Sequence, residues 1–202
     1  MVKEKIFLSL DVEADGPAPS VNNCLQIAIV ACRYAYNPDS TTTRDWVVSS
    51  IDLCLDPQDG RKESTFTMTD FWAKFPAILA KIRENARHPI FQMQKLSDWL
   101  KELEQNYEIV RWVAAPAAYD WQWVNSVYHQ YEPKAAYRLP YSCECMSTLR
   151  RAVGYMGKDE TAASDFMTAG TENLPHTHYA LEDALEQAYK YLRLRKFLTE
   201  CI

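Results

Sequence analysis

The sequence predicts an α/β domain built on a mixed five-stranded sheet, an antiparallel meander of three strands followed by parallel strands, with helices on both faces. Three observations carry this. The N-terminal part holds three apolar, β-branched runs, the hydrophobic period becomes helical from about residue 88, and helical and strand-like segments then alternate. With 202 residues, 48% hydrophobic and 24% charged, the chain can bury a sizeable core. It carries no Gly/Ser-rich linker, internal repeat or long single-sign block, so one domain over 1–202 is expected.

Residues 5–13 read as a strand with few polar interruptions, as a central strand covered on both sides would be. CLQIAIVACRYAY (24–36) and RDWVVSSIDLCL (44–55) follow as second and third strands, joined by short turns. DPQDGRKESTFTMTD (56–70) is rich in turn formers and reads as a loop excursion within the domain. From His88 to Gln105, Met93, Leu96, Leu100 and Leu103 recur at helical spacing, and Pro89 suits a first helical turn. Glu108–Ala115 is the next strand, and AAPAAYDWQWV turns from it into a helix reaching about Tyr131. Tyr141–Cys145 gives a short fifth strand and Met146–Val153 a helix. In the final helix Leu181, Ala184, Leu185, Ala188 and Leu192 form the stripe of a helix laid on a sheet. This order of elements is similar to the ribonuclease H-like fold, although a fold does not fix a chemistry.

A formal charge of −5 argues against broad electrostatic binding of long duplex nucleic acid but leaves room for a local site. Arg150, Arg151 and Lys158, and the group Lys190, Arg193, Arg195 and Lys196, read as solvated helix faces ahead of a phosphate track. Asp11 and Glu13 end the N-terminal apolar run well before a signal or membrane segment would be complete, so a soluble, cytoplasmic protein without membrane contact is expected. Cys24, Cys32, Cys54, Cys143, Cys145 and Cys201 show no Cys-x-x-Cys spacing and read as free, largely buried thiols ahead of a structural zinc site.

The chemistry begins in FLSLDVEADGP. Side chains two apart on a strand share a face, so Asp11 and Glu13 present two carboxylates together at a strand end. Asp120 follows an apolar run far downstream, and His178 precedes Asp183 by five residues. Phosphodiester hydrolysis is helped by two divalent cations about 3.5–4 Å apart, and converging carboxylates are what magnesium or manganese needs. Such cations would also cancel the repulsion that four acids exert on a phosphate. An imidazole titrating near neutrality suits a general base.

Each piece has a plainer explanation. One Asp-x-Glu is expected by chance in a chain with 27 acids, Asp120 could cap a helix starting at Trp121, and His178 and Asp183 could lie on a helix surface. DVEADG also opens like an EF-hand loop, but the closing position falls on Asn22 where a bidentate Glu is required, and a strand precedes it where a helix should. An aspartyl-phosphate enzyme would want a second Asp where Glu13 stands. The ordered set makes coincidence a poor account.

LDVEADGP, YDWQWV and HYALEDA together resemble the three motifs of the DEDDh 3′-to-5′ exonucleases, a family that includes ribonuclease T, oligoribonuclease and polymerase proofreading domains. The resemblance spans most of the chain. It implies a two-metal 3′-to-5′ exonuclease, using Mg2+ or Mn2+, that releases nucleoside monophosphates from 3′ ends of single-stranded or short RNA or DNA, with RNA slightly favoured. Carried over, Asp11 would bridge both cations, Glu13 and Asp183 would hold the one nearer the nucleophile, Asp120 would hold the other, and His178 would be the base. The backbone at Ala14, Gly16 and Pro17 would meet the terminal nucleotide, and Trp72, at what reads as a loop edge, and Trp121 would be candidates to stack on bases. A homodimer is also in keeping with the relatives. His176, two residues before His178, competes as base or metal ligand, whereas His88 and His129 read as ordinary helix residues. The rival readings are a DNA proofreading or repair exonuclease and a catalytically silent nucleic-acid-binding module.

Overall fold

The computed structural model describes residues 2–35, 45–134, 136–157, 159–174 and 176–200. The strand expected at 5–13 is β1 (Glu4–Ala14), the middle of a five-stranded sheet ordered β3-β2-β1-β4-β5. β2 (Cys24–Arg33) and β3 (Val47–Cys54) complete the antiparallel meander. β4 (Tyr107–Ala114) runs parallel to β1, and β5, only Glu144–Cys145, runs parallel to β4. The outer limits expected for β2 and β3, at residues 36 and 44, lie outside the described residues, as do Lys158 and Cys201.

The helices are α1 (Thr65–Asp70), α2 (Pro76–Asn85), α3 (Pro89–Asn106), α4 (Ala117–Gln130), α5 (Met146–Tyr155), α6 (Glu160–Thr168) and α7 (Ala180–Glu200), with a 3-10 turn at Trp72–Lys74. Three of these correct the sequence reading. The stretch 56–70 is not all loop, because α1 occupies its end, and α2 and α6 were not anticipated. Their apolar residues are too sparse to show a period: α1 buries none, α2 only Leu79 and Ile82, and α6 only Ala163 and Met167. His88 is the N-cap of α3, where its Nδ1 accepts the Ile90 N–H at 3.3 Å. No helix among the described residues is long and apolar enough to cross a membrane. Cys24, Cys32 and Cys54 are free and buried, and Cys143 and Cys145 are free and half-buried.

Strand alternation splits the core in two. Ile6, Leu8, Leu10 and Val12 of β1 face α3 and α4, packing with Met93, Leu96, Trp123 and Val127. Phe7 points the other way, toward Ala184, Ala188 and Tyr191 of α7. Two strand residues advance about 6.7 Å and four helix residues about 6 Å, so a helix running antiparallel to β1 can meet its alternate residues turn by turn. The Tyr191 ring lies 4.9 Å from that of Phe7. Gln187 Nε2 donates to Ser9 Oγ at 3.0 Å and to the Leu10 carbonyl at 2.9 Å. One turn further, Asp183 comes to Asp11 and Glu13. The contact between strand and helix thus grades from apolar to acidic toward the carboxyl end of β1.

Candidate metal centre

Three carboxylates from two elements meet here. Asp11, Glu13 and Asp183 each offer an oxygen within 4.8 Å of the others. Glu13 and Asp183 are buried, and Asp11 is half-buried. The fourth acid arrives on α4. β4 is parallel to β1, so the turn from β4 into α4 delivers Asp120 to the same end of the sheet. Asp120 lies in the first turn of α4, which begins at Ala117, so it is not the cap of a helix starting at Trp121. It is 3% exposed, and its Oδ2 has no hydrogen-bond partner. It stays outside the 4.8 Å group but is felt electrostatically by both Asp11 and Glu13.

Crowding buried acids makes their charged forms costly. Burial, then the charges of Asp120, Asp183 and Glu186, raise Asp11 well above the ordinary carboxylate range. Glu13 is pushed to about 10 by burial and by Asp11, Asp183 and Asp120. Burial raises Asp120 to about 7, against the lowering effect of backbone amides including that of Val12. Asp183 is raised by burial, offset by the amides of Thr177 and His178 and by the nearby imidazoles. An all-oxygen donor set, one orphaned buried carboxylate oxygen and this mutual repulsion all fit hard divalent cations.

The imidazole rim is built by the approach to α7. Asp183 Oδ1 accepts the Thr177 N–H at 2.7 Å and Oδ2 accepts the His178 N–H at 2.9 Å. His178 adopts a left-handed backbone, φ +62. Its ring rests against Phe75 at 4.3 Å and Phe71 at 5.0 Å, and burial and His176 lower its basicity. His176 is half exposed, with Nδ1 3.3 Å from Asp183 Oδ2 and 3.5 Å from Glu186 Oε2. Glu186 was missed in the sequence. It sits three residues past Asp183 on the same helical face, 8% exposed, with Lys190 Nζ 2.6 Å from Oε1.

A buried brace fixes the start of α7. Gln26, opposite Glu13 in the sheet, accepts the Ala180 N–H at 3.0 Å and donates to Asp52 Oδ1 at 2.7 Å, while the Tyr179 hydroxyl donates to Asp52 Oδ2 at 2.7 Å. Gln26 belongs to no recognisable motif, and Tyr179, although it lies within HYALEDA, was given no role there, so no signal in the sequence marked the brace.

The candidate substrate contacts separate. Trp72 is 1% exposed, and its indole N–H donates to the Ala14 carbonyl at 3.0 Å. A stacking role needs an open ring face, which Trp72 lacks. It packs with Leu25, Leu79 and Ile82 and holds the end of β1 in place. Ala14 and Gly16 are buried, while Pro17 is exposed. A Cβ at Gly16 would fall 2.2 Å from Asn22 Cγ, so this loop closes only with glycine. Trp121, half-buried against Trp112, lines a groove of about 630 Å³ with Gln122, Asn125, His129 and Arg138.

No family model and no curated protein matches the sequence. Solved structures do match in fold. The nuclease domain of 3′hExo, a DEDDh family member bound to rAMP, aligns with a TM-score of 0.63 at 14% identity, covering 96% of this chain and 92% of that one. Cell-death related nuclease 4 (CRN-4) aligns with a TM-score of 0.62 at 16% identity, over 95% of this chain and 64% of its own. Pop2p of S. pombe, in its Mg2+ and Mn2+ bound form, gives 0.58 at 13% identity, over 94% of this chain and 82% of that one. The sheet order β3-β2-β1-β4-β5 with its flanking helices is therefore the ribonuclease H-like fold of the DEDDh exonucleases, matched over nearly the whole chain.

Proposed function

We propose that this protein is a metal-dependent 3′-to-5′ exonuclease that hydrolyses the terminal phosphodiester of single-stranded or short nucleic acid and releases nucleoside monophosphates. The observation that carries the reading is the convergence of Asp11, Glu13 and Asp183 within 4.8 Å, beside a buried Asp120 whose Oδ2 lacks a partner, under an imidazole rim. Asp11, Glu13, Asp183 and Asp120 would hold the divalent cations, with Asp11 in electrostatic reach of both Asp120 and Asp183. Bound Mg2+ or Mn2+ would neutralise charge on the scissile phosphate and acidify a water.

The protein's own part is positional. His178 takes a proton from the water whose oxygen attacks phosphorus, and the departing 3′ oxygen of the shortened strand is protonated from solvent. Thr177 and His178 amides hold the Asp183 carboxylate so that it does not swing away from the cluster. Pro17 at the exposed loop edge and the groove at Trp121 are where the terminal nucleotides would run. RNA is favoured over DNA, in keeping with the rAMP bound to 3′hExo.

The test is a parallel digestion of matched RNA and DNA oligomers, single and double stranded, with Mg2+, Mn2+ or EDTA. Mononucleotides released stepwise from labelled RNA, only with metal, are expected. Preference for a DNA 3′ terminus would favour the proofreading or repair reading, and binding without cleavage the silent module.

A further inference from the structure

The geometry points to a second cation site beside the carboxylate cluster, formed by His176, His178 and Asp183 and suited to zinc-class metals, whose occupation shuts the nuclease off. These three residues offer donor atoms all within 4.8 Å of one another, and the two imidazoles meet edge to face at 4.7 Å. Ligands on a tetrahedral zinc, at bonds of about 2.0–2.2 Å, stand about 3.3 Å apart. His176 Nδ1 and Asp183 Oδ2 already stand at 3.3 Å. His176 is half exposed and can adjust, and water supplies the fourth ligand.

Ligand type separates this site from the first. Magnesium takes oxygen donors and would ignore two imidazoles, whereas zinc binds them well. Asp183 Oδ2 accepts one backbone N–H and keeps a lone pair, while Oδ1 accepts the Thr177 N–H and, at 3.5 Å, the Thr177 hydroxyl. Asp183 lies within 4.8 Å of both donor groups and so belongs to both sites. Glu186 Oε2, 3.5 Å from the same His176 nitrogen, is placed to orient that ring or to add a ligand. Zinc here would occupy the His178 nitrogen needed as base and draw Asp183 from the carboxylate cluster. The inhibitory half of the proposal rests on the exonuclease reading, and the binding half does not.

Two measurements test it. Co2+ alone, titrated into the full chain carrying Asp11→Asn and Glu13→Gln, should still give the intense visible absorption of a tetrahedral nitrogen-ligated ion. Adding His176→Ala should weaken that binding at least tenfold, with His176→Gln as a second variant. In the unaltered chain, Zn2+ should inhibit Mg2+-supported cleavage, and His176→Ala should raise the half-inhibitory Zn2+ concentration at least tenfold relative to its own Mg2+ rate. Co2+ binding that is absent or indifferent to His176, or Zn2+ inhibition indifferent to it, overturns the proposal. A chain that cleaves nothing with any metal sinks the nuclease reading and the inhibition with it, while His176-dependent Co2+ absorption would still support the site.

Discussion

The backbone N–H of His178 donates to Asp183 Oδ2 at 2.9 Å, so one member of the carboxylate cluster also sets the position of the residue proposed as base. That bond holds His178 at φ +62, a conformation costing a residue with a Cβ about 1 kcal/mol and glycine almost nothing. His178→Gly should therefore be at least as stable as His178→Ala in urea denaturation, although glycine normally loses more chain entropy on folding. Both should lower turnover at least a hundredfold while Mg2+ still raises the thermal midpoint. If alanine proved clearly more stable than glycine, the left-handed backbone would be in doubt.

Neutralising one acid should stabilise the metal-free protein. Asp11 carries the charges of Asp120, Asp183 and Glu186 in a buried setting, and Asp11→Asn removes that repulsion while keeping the shape. The thermal midpoint in EDTA is expected to rise by several degrees, the Mg2+-induced increment to disappear, and cleavage to fall at least a thousandfold. Asp183→Asn should also abolish cleavage but stabilise less, since the Thr177 and His178 amides use separate Asp183 oxygens and asparagine leaves one of them facing an NH2 donor.

The same acids set a pH dependence. Glu13 stands at about 10 in the fold against an ordinary 4.5, and Asp120 at about 7 against 3.8. Above their ordinary values the unfolded chain sheds protons that the fold retains, so stability falls as pH rises, through about 7 for Asp120 and on toward 10 for Glu13. His178 acts oppositely, since its lowered basicity costs stability only below its ordinary 6.5. The metal-free protein should thus melt lower at pH 8 than at pH 6, and Mg2+ should add more at pH 8. A flat profile in EDTA would mean that the carboxylates stay solvated.

The parts of this architecture written in apolar runs could be read directly. β1 and β2 are buried nearly throughout, and α3 and α7 carry long stripes, so their existence and approximate ends were legible. The carboxylates were legible because alternation on a strand and the start of a stripe fix where they point. What escaped depends on distant partners. Trp72 is buried because Leu25 and α2 enclose it, and α2 shows too few apolar residues to announce itself. The left-handed His178 is imposed by Asp183 across a tight turn, which no propensity at that position encodes.

Phe71 and Phe75 offer a way to separate positioning from chemistry. Both rings touch the His178 imidazole and neither offers a proton or a metal ligand. Phe75→Ala should lower kcat about tenfold with KM little changed, because the imidazole loses a wall and samples other rotamers. Phe75→Leu should recover most of the rate. Equal losses in both variants, or a change confined to KM, would place Phe75 against substrate instead.

The brace at the start of α7 yields the most demanding test. Gln26 is fully buried and satisfies two partners at once, the Ala180 N–H and the Asp52 carboxylate. Gln26→Leu keeps the volume but strands a buried amide in the first turn of α7, and such an orphan costs about 1–3 kcal/mol. Tyr179→Phe removes one donor from Asp52 while Gln26 still serves it, so it should cost less. Because Asp183 lies three residues beyond Ala180, the slackened helix start should also weaken Mg2+ several-fold in Gln26→Leu but hardly in Tyr179→Phe. Urea denaturation and the Mg2+ dependence of the thermal midpoint measure both effects. The reverse order, with Tyr179→Phe the more damaging, would show that the hydroxyl and not the glutamine ties the helix to the sheet.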